Sequence, residues 1–194
     1  MSQAQGPLYN VLKWVAICGA VLWIGYEVYR HFAGMGPGDV LYIDGNNVFK
    51  DGHYERASEY FQSALEENPK HGAAIRGLAN SYVQLERYDD ALRTIDKAIT
   101  LDPEFAGNYA LRGIIYDHLG RHELAMADYE KSLEMDPSVA DGMHWLTRLL
   151  YNVQERPPTV KDRLEYLKKQ FALPPEQRVL SDPERDKKQQ PYER

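Results

Sequence analysis

"YDDALRTIDKAITLDPE", residues 88–104, decides the fold. Read alone it is one amphipathic helix: Ala91, Ile95 and Ala98 return every three or four residues, and Pro103 stops the run. The chain writes nearly the same helix twice more, as "YERASEYFQSALEENPK" at 54–70 and "HELAMADYEKSLEMDPS" at 122–138. The copies keep a period of 34 residues: Ala57, Ala91 and Ala125; Phe61, Ile95 and Tyr129; Ala64, Ala98 and Ser132; Pro69, Pro103 and Pro137. The preceding halves follow the same period, with Leu41, Ile75 and Tyr109, then Gly45, Ala79 and Gly113, then Val48, Tyr82 and Tyr116. Such a repeat predicts an all-α stack of helix–turn–helix units, each too small to bury its apolar face alone.

These positions resemble the tetratricopeptide repeat, with full copies at 38–71, 72–105 and 106–139. Small residues at Gly45, Ala79 and Gly113, and at Ala57, Ala91 and Ala125, let paired helices approach closely, and the prolines end each second helix. Residues 140–172 read as a degenerate capping unit. "SVADGMHWLTRLLYNV" continues the register through Met143, Leu146 and Leu150, but in "TVKDRLEYLKKQFALP" Leu164 and Leu167 leave it and the expected alanine is missing. Lys161, Arg163, Lys168 and Lys169 are expected on the solvent side of that cap.

The ends differ from the middle. Residues 8–32, "LYNVLKWVAICGAVLWIGYEVYRHF", are the most apolar of the chain. From Trp14 to Tyr26 there is no charge, and with Lys13 reaching the headgroups a span from 8 to 26 is about 28 Å long, enough to cross a bilayer. Trp14, Trp23, Tyr26 and Tyr29 suit its interfaces. A cleaved signal peptide fits poorly, because residues 1–12 carry no charged side chain. An uncleaved anchor over 1–32 is therefore expected, followed by the Gly/Pro connector "AGMGPG" at 33–38. Lys13 and Arg30 nearly balance the flanks. The expected placement is a bacterial inner membrane with periplasmic repeats, the alternatives being cytoplasmic repeats or a mitochondrial outer-membrane anchor. Residues 173–194, rich in proline and charge, read as a disordered or extended tail.

A net charge of −6 without a Lys/Arg cluster argues against nucleic acid. Cys18 is the only cysteine, so no disulfide or cysteine zinc site can form within the chain. His118 and His122 are four apart, but Gly120 lies between them at a turn, so they make no helical metal pair. With no phosphate loop or nucleophile motif, no catalytic residue, metal or cofactor is expected.

The resemblance implies protein binding along a concave groove lined by the first helix of each pair. Its positions correspond to Tyr42, Asn46, Phe49 and Lys50; Arg76, Asn80, Val83 and Gln84; Ile114, Asp117 and His118; and His144, Arg148 and Tyr151. The five positions of the family's carboxylate clamp fall on Tyr42, Asn46, Gly77, Gly107 and Leu111, of which only Asn46 matches. Without cations there, no chaperone of the carboxylate-clamp type is expected as partner. The expected function is a membrane-anchored adaptor for a membrane-associated protein or peptide, aiding assembly or quality control of an envelope or membrane complex. The alternative is a constitutive structural subunit of such a complex, with an accessory enzyme domain the remotest reading.

Overall fold

A computed structural model describes residues 7–141 and 158–181. Among these there are eight α-helices and no strand: α1 Pro7–Ala33, α2 Asp39–Lys50, α3 Tyr54–Glu67, α4 Gly72–Gln84, α5 Tyr88–Leu101, α6 Ala106–His118, α7 His122–Met135 and α8 Val160–Phe171. Short 3-10 turns follow α7 at Pro137–Ala140 and α8 at Pro175–Gln177. Helices α2/α3, α4/α5 and α6/α7 form three antiparallel pairs, each second helix packs on the next first helix, and the first helices α2, α4 and α6 are neighbours.

The period seen in the sequence recurs in the backbone. Asn68, Asp102 and Asp136 each precede a proline, which bars the α region, and all three leave their helix at φ near −140° (−139°, −141° and −144°). Within each pair the turn closes in one way. His53, Arg87 and Arg121 donate their N–H to Val48, Tyr82 and Tyr116, while Gly52, Glu86 and Gly120 donate theirs to Phe49, Val83 and Asp117. This motif needs a left-handed residue, and Gly52, Glu86 and Gly120 have φ of +80°, +58° and +70°. Glu86 alone bears a side chain there, so Glu86→Gly is expected to raise the urea midpoint, whereas Gly120→Ala should lower stability by about 1 kcal/mol.

The core is a column of the same positions. Ala57, Ala91 and Ala125 are fully buried, as are Phe61, Ile95 and Tyr129. Close approach at the first helix is a steric requirement: a Cβ on Gly113 would lie 2.6 Å from the Tyr129 ring, and one on Gly45 2.9 Å from Phe61.

The fourth unit corrects the sequence reading. One period beyond Ala125 and Tyr129 stand Thr159 and Arg163, and both are buried, Arg163 to 2% exposure. The register therefore reaches α8, with Arg163 in the column where Phe61, Ile95 and Tyr129 stand; Lys161, Lys168 and Lys169 are exposed as expected. Thr159 caps α8 reciprocally with Asp162. Residues 173–181 turn back along α8, Tyr166 Oη donating to the Val179 carbonyl at 2.7 Å.

The connector is clasped at its C-terminal end. Gly38, at φ +85°, donates its N–H to Glu67 at 2.7 Å, and a Cβ there would meet the Ala64 carbonyl. Asp39 accepts from the Gly36 N–H at 2.6 Å and pairs with His71 Nε2 at 2.9 Å. The Gly36 N–H first, and then His71, hold the Asp39 carboxyl below its usual value. His71 Nδ1 meanwhile accepts from Ala74 N–H and caps α4, so Nε2 carries the proton given to Asp39.

Candidate functional site: the inner face of the first helices

The inner face starts on α2 and α4, where equivalent residues stand one repeat apart. Tyr42 is half-buried, its ring 5.2 Å from His71 and 6.0 Å from Phe61. One period on, the Arg76 guanidinium lies over the Phe105 ring at 4.2 Å. His71 and Phe105, themselves 34 apart, thus seat Tyr42 and Arg76. Both seating residues escaped the sequence reading, although each sits just before a first helix at the repeat interval. Burial lowers the Arg76 pKa from its ordinary value while Asp102 acts against that, and an arginine so placed stays cationic.

Asn46 follows Tyr42 by one helical turn, and Asn80 follows Arg76 likewise, so each pair shares a helix face. Asn46 is half-buried and Asn80 is 8% exposed. Phe49 packs on Tyr54 at 5.1 Å, Lys50 and Gln84 are exposed at the helix ends, and Val83 is buried. These positions give two cations, Lys50 and Arg76, three amides, Asn46, Asn80 and Gln84, and an aromatic rim.

In the third repeat the same register turns inward. Ile114 is 1% exposed and belongs to the core. Asp117, 8% exposed, accepts from Arg163 Nε at 2.5 Å and Arg163 Nη2 at 2.9 Å, and His122 Nδ1 lies 2.8 Å away. Phe49 and Val83 occupy this register in the earlier repeats, so an acid has replaced an apolar residue in α6 just as Arg163 has in α8. His118 stacks on Tyr88 at 4.9 Å, and burial raises the Tyr88 pKa. His118 ends α6 and His122 begins α7, so the two do share no helix. His144, Arg148 and Tyr151 lie outside the described residues.

A second, partly buried ion-pair cluster centres on Arg112. Arg112 reaches Asp128 through Nε at 2.7 Å and Nη2 at 2.8 Å, and Asp96 at 3.1 Å, tying α6 to α7 and α5. The hydrogen bonds that Arg112 donates to Asp128 chiefly raise its pKa.

Fold and inner face together define a helical-repeat solenoid. Residues 48–112 and 109–139 match family models described as tetratricopeptide repeat. The chain is 29% identical over 149 residues to Hsp70-Hsp90 organizing protein 2 of Arabidopsis thaliana, covering 75% of this chain and 26% of that protein. It thus spans about a quarter of the length of the organizing proteins it matches. Among solved structures, the first TPR of Spaghetti (RPAP3) bound to HSP90 peptide SRMEEVD superposes with a TM-score of 0.57 at 22% identity, over 71% of this chain and 94% of that one. The second TPR of Spaghetti, bound to the same peptide, gives 0.50 at 27% identity, over 52% and 93%.

These likenesses overturn the expectation that excluded a carboxylate-clamp chaperone partner, since repeats similar to these are seen with an HSP90 peptide. The exclusion tested one fixed set of five positions. Two of those are closed by packing, because a Cβ at Gly77 would lie 2.6 Å from the Phe61 ring and one at Gly107 would strike the Phe105 ring. Arg76, a cation of this face, lies outside that set and one turn from Asn80.

Proposed function

We propose that the chain is a membrane-anchored adaptor whose inner face holds an extended peptide of a partner protein, Arg76 receiving a carboxylate of that peptide. The observation that carries this reading is the pairing of Arg76 with Asn80 on one face of α4, the guanidinium steadied over Phe105. A guanidinium offers two parallel donors to a carboxylate, and Asn46 and Asn80 can each donate to and accept from a peptide backbone. The peptide bound by the Spaghetti repeats, SRMEEVD, is rich in carboxylates, which is the chemistry a cation here would suit.

Anchoring is supported by α1. Its stretch Tyr9–Tyr29 is 21 residues with mean hydropathy 1.6 and none of it buried. Trp14, Leu22 and Trp23 are all exposed. A groove held beside a bilayer raises the local concentration of whatever it binds, and so favours the partner's assembly into a membrane complex.

Labelled SRMEEVD and the detergent-solubilised chain test the groove. Changing Asn46, Arg76 and Asn80 together to alanine is expected to weaken binding by at least about tenfold, with helical circular dichroism retained. Unchanged affinity would overturn the groove assignment. Alkaline carbonate should leave the chain in the membrane pellet, and its release would overturn the span.

A further inference from the structure

Helix α8 presents Arg163, Tyr166 and Gln170 at intervals of three and four, hence on one face. All three bind main-chain atoms of one short extended stretch. Gln170 Oε1 accepts from the Val179 N–H at 2.8 Å. Tyr166 Oη donates to the Val179 carbonyl at 2.7 Å. Arg163 Nη2, already committed to Asp117, donates to the Leu180 carbonyl at 2.8 Å. Of the stretch's side chains, Leu180 packs against the core while Val179 is 57% exposed. The contact therefore reads backbone geometry plus one aliphatic side chain, the pattern by which proteins bind extended peptides.

We propose that this face of α8 is a second peptide-binding site, distinct from the inner face of the first helices, and that residues 178–181 are its internal ligand. An extended segment of a partner protein, with a leucine-like side chain in the place of Leu180, takes the site when the internal segment leaves. The cis segment is held by three side-chain hydrogen bonds from α8, two of them exposed, and by the Leu180 side chain. It is also held by Arg178, which donates to the Leu173 and Phe171 carbonyls and lies over the Phe171 ring. This is a set of mostly solvent-exposed contacts that a competing segment can displace.

The test uses the full chain and a labelled peptide of residues 173–181. Wild type, its site filled, is expected to bind the peptide at least about tenfold more weakly than a Val179→Pro/Leu180→Asp variant, whose segment can no longer dock. Adding Tyr166→Phe and Gln170→Ala to that variant should then remove most of the gained binding. Equal binding by wild type and the released variant overturns the proposal, as does binding that ignores Tyr166 and Gln170. A second measurement needs no released variant: in the otherwise wild-type chain, Tyr166→Phe/Gln170→Ala should speed tryptic cleavage after Arg178 severalfold. An unchanged cleavage rate also counts against the site.

Discussion

Replacing Arg163 by alanine is expected to cost about 3–5 kcal/mol of unfolding free energy, because the carboxylate of Asp117 stays buried without its bidentate partner. His122 remains beside Asp117 at 2.8 Å, but one imidazole cannot replace two guanidinium hydrogen bonds. The informative control restores what the other repeats carry. Val83 stands one period before Asp117, and Ile95 two periods before Arg163. An Asp117→Val/Arg163→Ile double variant should therefore recover wild-type stability or exceed it by about 1–4 kcal/mol, as buried pairs often do when exchanged for packed apolar groups. Urea unfolding of the single and double variants in detergent measures both. If Arg163→Ala leaves the midpoint in place, the pair does not hold α8 to the third repeat.

The other large effect centres on Phe61, whose ring fills the space that Gly45 and Gly77 leave open on α2 and α4. Phe61→Ala is expected to cost about 3–5 kcal/mol, combining lost burial with a cavity between the first two repeats. Gly77→Ala attacks the same contact from the other side and should cost about 1–3 kcal/mol by overpacking. The two should not add. With Phe61 shortened to leucine, Gly77→Ala gains room, so the double variant Phe61→Leu/Gly77→Ala is expected to be more stable than the sum of its parts predicts. Strict additivity in urea unfolding would show that the ring and the glycine do not share this space.

The helices of the three repeats were legible because period, proline and small residue all repeat, and each has a local cause. Pro69, Pro103 and Pro137 end α3, α5 and the α7 unit by barring one backbone conformation, and no distant contact is needed to predict that. What stayed hidden depends on partners far along the chain. Arg163 looks like a surface residue among lysines, and the carboxylate that neutralises it, Asp117, stands 46 positions earlier. Asp117 looked equally like a groove residue, since its register is right and its partner carries no local signal. The clamp test failed for a related reason. Gly77 and Gly107 serve ring packing in this chain, and a cation stands at Arg76 instead.

The clasp at the start of the first repeat carries a mechanical consequence. Force entering from α1 does not stretch a slack tether down to the first repeat. It meets Gly38 held by Glu67 and Asp39 held by His71, contacts that rest on the end of α3 and the beginning of α4. Tension arriving at Gly38 and Asp39 is thus shared by two adjacent hairpins.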